Sequence, residues 1–235
     1  VKNQLLIATA LTALSFSALA ADLPARTFAP ASPAPIFSWT GFYVGGTIGA
    51  LTADFKSTDS YQSYSNSTYY YGSKGTPTSV TVGATIGYNQ QFGSMVAGLE
   101  ADYNFAKGTT NNVYDGYARD GKSTFGSFGT VRGRLGYAMD RTLFFVTAGL
   151  AVADIKGKSG YSCTTGFSKQ KFGWVAGGGV EYALTNSLTV KAEALYADFG
   201  SMSASKTYGY QGCAHQTFKS KTTAVIGRTG LNFKF

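Results

Sequence analysis

Residues 223–235 read TAVIGRTGLNFKF, and every second residue counted back from the end is apolar or small: Phe235, Phe233, Leu231, Thr229, Gly227 and Val225. Lys234, Asn232 and Arg228 stand between them. A period of two belongs to a strand, whose side chains point alternately to its two faces. The same period recurs upstream. Residues 41–51 place Phe42, Val44, Gly46 and Ile48 on one face, and residues 79–89 alternate most cleanly, Val80, Val82, Ala84, Ile86 and Tyr88 against Thr81, Gly83, Thr85, Gly87 and Asn89. Residues 95–105 set Leu99, Ala101 and Tyr103 opposite Glu100 and Asp102, and residues 124–137 set Val131, Leu135 and Tyr137 opposite Arg132 and Arg134. Residues 143–154 are apolar on both faces, which leaves their phase open. Residues 172–184 carry Trp174, Val180 and Tyr182 against Glu181, and residues 188–199 carry Val190, Ala192, Ala194 and Tyr196 against Lys191 and Glu193.

The connections between these eight segments alternate in length. Residues 90–94, 138–142 and 185–187 are tight turns, whereas 52–77, 106–123, 155–170 and 200–221 are long and polar. Segments of about ten residues match a tilted strand crossing a bilayer. Charged residues share one face of each strand and aromatics the other, the reverse of a soluble lipocalin-like barrel, which hides its apolar face inside. The expected fold is therefore all-β: an eight-stranded antiparallel transmembrane up-and-down β-barrel with short periplasmic turns and long external loops.

The ends of the chain fit that reading. Lys2, the apolar run of residues 5–19 and the small-residue site Ala18-Leu19-Ala20 form a secretory signal peptide over residues 1–20. Residues 21–38 hold four of the five prolines and form a periplasmic linker without period, leaving 39–235 for the barrel. Mean hydropathy is near zero, which excludes a helical membrane protein but not a barrel, because only alternate residues face lipid. The formal net charge of +8, or +7 without Lys2, suits lipopolysaccharide phosphates or another anionic ligand. A secreted chain has no call on nucleic acid.

The lumen-facing charges are Glu100, Asp102, Glu181 and Glu193 with Arg132, Arg134, Lys191 and Arg228, four acids and four bases. Strand order lets Glu100 and Asp102 meet Arg132 and Arg134, and Glu181 meet Lys191. Such pairs suit acid–base catalysis in principle. In a barrel only wide enough for its own side chains they are better read as a neutral network that plugs the lumen.

The segments FSWTGFYVGG (37–46), GTVRGRLGY (129–137), GGGVEY (177–182), KAEALYADFG (191–200) and GLNFKF (230–235) resemble the small outer-membrane proteins of Rhizobiales-type alphaproteobacteria, within the OmpA-like barrel superfamily. That group includes major surface antigens and haemin-binding members. The resemblance implies a barrel in the bacterial cell outer membrane, in contact with lipid and lipopolysaccharide. It implies a contribution to envelope integrity and contact with host surface molecules through the loops. Phe233 and Phe235 resemble the closing-strand signal that the barrel-assembly machinery reads.

Three chemistries remain to be weighed. Cys163 and Cys213 fall in the third and fourth long segments, which neighbour one another. An oxidising compartment favours a disulfide, two free thiols being the alternative. A bridge closing roughly fifty residues is nominally worth about 4 kcal/mol, less where strands already fix the hairpin. The spacing is not that of a zinc site, and no metal is expected. His215 is the only histidine. With Tyr61, Tyr64, Tyr69, Tyr70 and Tyr71 in the first long segment it makes haemin a candidate ligand, the resemblance adding weight, and Lys156, Lys158, Lys219 and Lys221 could draw the propionates. An enzyme is not expected: His215-Gln216-Thr217 offers no serine triad, and Gly177-Gly178-Gly179 lies in a strand rather than a phosphate loop. A structural surface protein leads, with a haemin receptor or a narrow channel as alternatives.

Overall fold

The computed structural model describes residues 37–62, 68–114, 117–158, 166–207 and 215–235. The expected signal peptide, the part of the expected linker before Phe37, Tyr64, Cys163 and Cys213 lie outside the described residues. Among the described residues there are ten strand segments: β1 (Gly41–Gln62), β2 (Thr68–Gly75), β3 (Thr78–Phe92), β4 (Met95–Ala106), β5 (Gly108–Tyr114), β6 (Tyr117–Met139), β7 (Thr142–Lys158), β8 (Gly166–Ala183), β9 (Leu188–Thr207) and β10 (His215–Lys234). β1, β3, β4, β6, β7, β8, β9 and β10 follow one another by antiparallel pairing, and β10 closes on β1. The result is a ring of eight strands without a free edge in its lower part, as lipid demands.

β2 and β5 are continuations of β3 and β4. Thr76-Pro77 interrupts the first pair and Lys107 the second, and proline, lacking an N–H, suits such a break. Above the breaks β2 pairs with β1 and β5 with β6, and the two meet at Ser73↔Tyr114 and Lys74↔Val113. The short turns agree with the sequence reading. Gly93 (φ 62°) and Asp140 (φ 50°) open two of them in the left-handed region that tight hairpins use.

The strands run much further than expected. β1 has 22 residues and β10 has 20, about twice the span of a membrane strand. Most of residues 52–77, 106–123, 155–170 and 200–221, expected as loops, is paired strand. Their polarity misled because it belongs to the outer face of a barrel wall standing above the membrane. In β1 the odd positions face inward throughout, from Tyr43 to Leu51, Phe55 and Ser57. The even positions face outward, and they change from Phe42, Val44 and Ile48 to Asp54 and Lys56. The pleat keeps its phase while the chemistry of its two faces swaps.

The outer band below that swap is apolar, with Leu99, Val131, Val146 and Leu150 all more than 60% exposed. Aromatics border it at both levels. Phe42 and Tyr88 (ring centroids 4.7 Å), Phe92, Tyr137, Tyr182, Phe233 and Phe235 stand near the short turns. Tyr103, Phe105, Phe172 and Trp174 stand toward the other side. This is the lipid belt of a membrane barrel. It settles the phase of β7: Phe144, Val146 and Leu150 face out, and Leu143, Phe145, Ala151 and Ala153 face in.

Candidate functional site

The lumen is filled in three storeys. At the short-turn end, Phe37 and Trp39 pack with Val96, Leu143, Phe145 and Ala183, all buried. The strap carrying the two aromatics is tied to the wall. Trp39 N donates to Gln91 Oε1 (2.7 Å), Gln91 N donates to Thr40 Oγ1 (3.0 Å), and Lys234 Nζ donates to the Ser38 carbonyl and lies 4.7 Å from the centre of the Phe37 ring. Phe37 and Ser38 thus join the barrel mouth rather than the linker to which the sequence assigned them.

The middle storey holds all eight expected charges, none more than 7% exposed. Arg132 is central, bonding Glu100, Asp102 (2.9 Å) and Glu193 (2.9 Å). Arg228 binds Asp102 through both terminal nitrogens (3.0 and 2.9 Å) and Glu193 through Nε (2.8 Å). Lys191 donates to Glu100 (2.8 Å) and lies 3.3 Å from Glu193. Arg134 donates to Glu181 (2.8 Å), with its guanidinium 4.0 Å from the centre of the Phe145 ring, so the charged and lower apolar storeys touch. The expected Glu181–Lys191 pair does not form as an ion pair. The two are register partners on β8 and β9, yet each reaches across the lumen to another strand. In a narrow barrel, long side chains meet strands that are not their neighbours.

Neutral groups complete the network, and the sequence reading passed over them. Tyr43 OH donates to Glu100 (2.8 Å), Thr130 and Asn104 donate to Asp102 (2.6 and 2.5 Å), and Thr189 and Asn232 donate to Glu181 (2.5 and 2.8 Å). Their signal was their parity: each occupies the inward phase of its strand. Carboxylates so fully bonded carry the several donors that a buried charge requires. Inward glycines make the room. A Cβ at Gly87 would lie 2.3 Å from the Tyr43 hydroxyl. The eight charges bond one another and the neutral groups around them, an arrangement that fills the lumen and ties the strands together.

The upper storey is apolar, where a polar lumen was expected. Leu51, Phe55, Phe125, Phe128, Ile155, Val175, Leu195, Phe199 and Ile226 form one buried cluster. Phe125 stacks edge-on with Phe128 (6.0 Å) and Phe199 (5.7 Å). Above it Ser57 Oγ donates to Ser220 Oγ (2.8 Å).

The remaining candidates are placed as follows. Phe233 on β10 and Phe235 just past its end are exposed, with ring centroids 5.3 Å apart, and Phe235 N donates to the Phe42 carbonyl (3.0 Å). His215 begins β10 opposite Gln62 and Thr207, rather than sitting in a loop. Among the described residues no group of three or more His, Cys, Asp or Glu side chains is placed to hold a metal.

A closed eight-stranded ring with a lipid belt outside and a salt-bridged plug inside defines an outer-membrane type transmembrane β-barrel. Residues 6–225 match the outer membrane protein beta-barrel domain, and the chain belongs to that family. It is 32% identical to the 31 kDa outer-membrane immunogenic protein of Brucella melitensis, over 99% of this chain and all of that one. It is 35% identical to the 22 kDa outer membrane protein of Rhizobium leguminosarum bv. viciae, over 74% of this chain and 69% of that one. Among solved structures it resembles the outer membrane protein OprG of Pseudomonas aeruginosa, with a TM-score of 0.52, 14% identity, and 83% and 97% of the two chains covered. The protein is an outer-membrane β-barrel surface protein.

Proposed function

We propose that the barrel is a non-conducting, non-catalytic structural element that strengthens the envelope and presents its raised upper wall to the surroundings. The observation that carries this reading is the lumen, filled in three consecutive storeys. A path for ions through it would have to part the Arg132 and Arg228 ion pairs and also displace two apolar plugs. Phe233 and Phe235, on the closing strand, are the residues the assembly machinery would read. In planar-bilayer recordings the refolded protein is expected to give no steady open level. A stable ohmic conductance in the unsubstituted protein, absent from protein-free controls, would replace this reading with that of a narrow channel.

A haemin receptor is a second reading, favoured by one feature of the register. Gln62 lies opposite both His215 and Thr68, while Tyr61 lies opposite Gln216 and Tyr69, so three adjacent strands bring a histidine and tyrosines to one end of the wall. Under this reading, haemin titrated into the refolded barrel gives a saturable Soret shift that His215→Ala abolishes. Featureless partitioning in both proteins leaves the structural reading alone.

A further inference from the structure

Three lysines share one row of the upper wall. Lys56 on β1 is the direct register partner of Lys74 on β2, and on its other side of Lys221 on β10. All three are exposed. Directly opposed side chains share a face and lie about 5 Å apart at Cβ, where like charges destabilise a sheet. A barrel with polar residues to spare elsewhere has set three ammonium groups side by side. Lys219, two residues before Lys221, adds a fourth to the same face. Lys221 has an acid partner among the described residues, Asp198 Oδ2 at 3.3 Å, and Asp54, on the same face of β1, accepts from Thr76 Oγ1 at 3.2 Å. The patch therefore keeps an excess of two positive charges after both acids are counted.

The same segment borders a concavity of about 760 Å³ whose walls include Lys56, Thr58, Lys74, Thr76, Thr110 and Asn111. Two ammonium groups, the Thr58 hydroxyl and the Asn111 amide supply donors from three strands. The height of the row is informative. On β1 the outward positions turn polar at Thr52, and Lys56 lies four residues beyond, roughly 10 Å higher for a tilted strand. The row also faces sideways, on the parity of the lipid-facing Val44 and Ile48, rather than upward to the medium. A sideways-facing cation row at that level meets the phosphorylated sugars of neighbouring glycolipid.

We propose that Lys56, Lys74 and Lys221 with the adjoining concavity form a binding site for the phosphate groups of outer-leaflet lipopolysaccharide. A phosphate dianion between Lys56 and Lys74 turns their mutual repulsion into two charge-assisted hydrogen bonds. The site is thus strained when empty and satisfied when occupied. It stands independently of whether the lumen conducts.

The test uses the refolded full barrel in uncharged detergent. Binding of deep-rough lipopolysaccharide is measured by native mass spectrometry, with amide hydrogen exchange followed at residues 55–58 and 72–75. The unsubstituted protein is expected to retain the phosphorylated glycolipid, with affinity falling as salt rises. K56Q/K74Q should weaken it at least tenfold, whereas K156Q, on β7, should stay within twofold. Without ligand, K56Q/K74Q should exchange more slowly than the unsubstituted protein at residues 55–58. Added glycolipid should slow exchange in the unsubstituted protein but not in the variant. Equal retention by K56Q/K74Q, or equal retention of enzymatically dephosphorylated glycolipid, would overturn the proposal. So would displacement by inorganic pyrophosphate at matched concentration, which would point to a free phosphate. Tighter binding of a heparin oligosaccharide than of glycolipid would make this a site for sulfated polysaccharide instead.

Discussion

Arg132→Ala is expected to destabilise the folded barrel by about 3–5 kcal/mol, the cost of removing one partner from a buried ionic cluster. Arg132 is 1% exposed and hydrogen-bonds Glu100, Asp102 and Glu193 together. Without it three carboxylates share Lys191, Arg228 and Arg134. Urea unfolding from lipid vesicles, followed by fluorescence of Trp39 and Trp174, measures the effect. Arg132→Lys should recover only part of the loss, because an ammonium cannot present the planar fork that spans three acids. Adding Glu193→Gln to Arg132→Ala should cost less than the two single losses combined, since the second change removes a charge the first left unpaired. A midpoint for Arg132→Ala within about 1 kcal/mol of the unsubstituted protein would mean that water reaches the middle storey and that the lumen is not sealed there.

How much of this was readable beforehand depends on where a strand stands relative to the membrane. β3 was legible because its outward face is Val80, Val82, Ile86 and Tyr88 and its inward face Thr81, Thr85 and Asn89, a contrast that lipid on one side and ions on the other impose. β7 was not, because it passes beside both apolar storeys. Leu143 and Phe145 are as greasy as Phe144 and Val146 although they face opposite ways. The upper wall was hidden by the swap of environments. Outside the bilayer the barrel obeys the soluble rule, apolar within and polar without, so Phe55 and Lys56 keep the pleat of Tyr43 and Val44 but exchange their meaning. A search for one fixed face sees the period vanish there and reads a loop. The charges themselves were legible from their shared face, whereas their pairing was not. Arg228 on β10 reaches Asp102 on β4, and Arg134 on β6 reaches Glu181 on β8, across a lumen whose width no register records.

The apolar upper storey makes the second large prediction. Phe125→Ala should cost about 3–5 kcal/mol, the usual range for emptying a buried phenylalanine site. Phe125 is fully buried, and its ring meets Phe128 and Phe199 edge-on, so β6 and β9 are joined through it. The described pairing of β8 with β9 ends at Trp174↔Asp198, which leaves side-chain packing as the main tie across that part of the wall. The loss should therefore be local. Amides of residues 51–57, 122–128 and 218–226 should exchange faster, while those around Arg132 and Lys191, held by ion pairs and lipid, should change little. Phe172→Ala, at a ring 75% exposed on the lipid belt, should leave the upper wall unchanged. Loosening spread evenly along all eight strands would show instead that the storeys unfold as one unit. A local loss would mean that the raised wall can vary its outer residues freely as long as its inner aromatics remain, because surface and scaffold are then carried by opposite faces of the same strands.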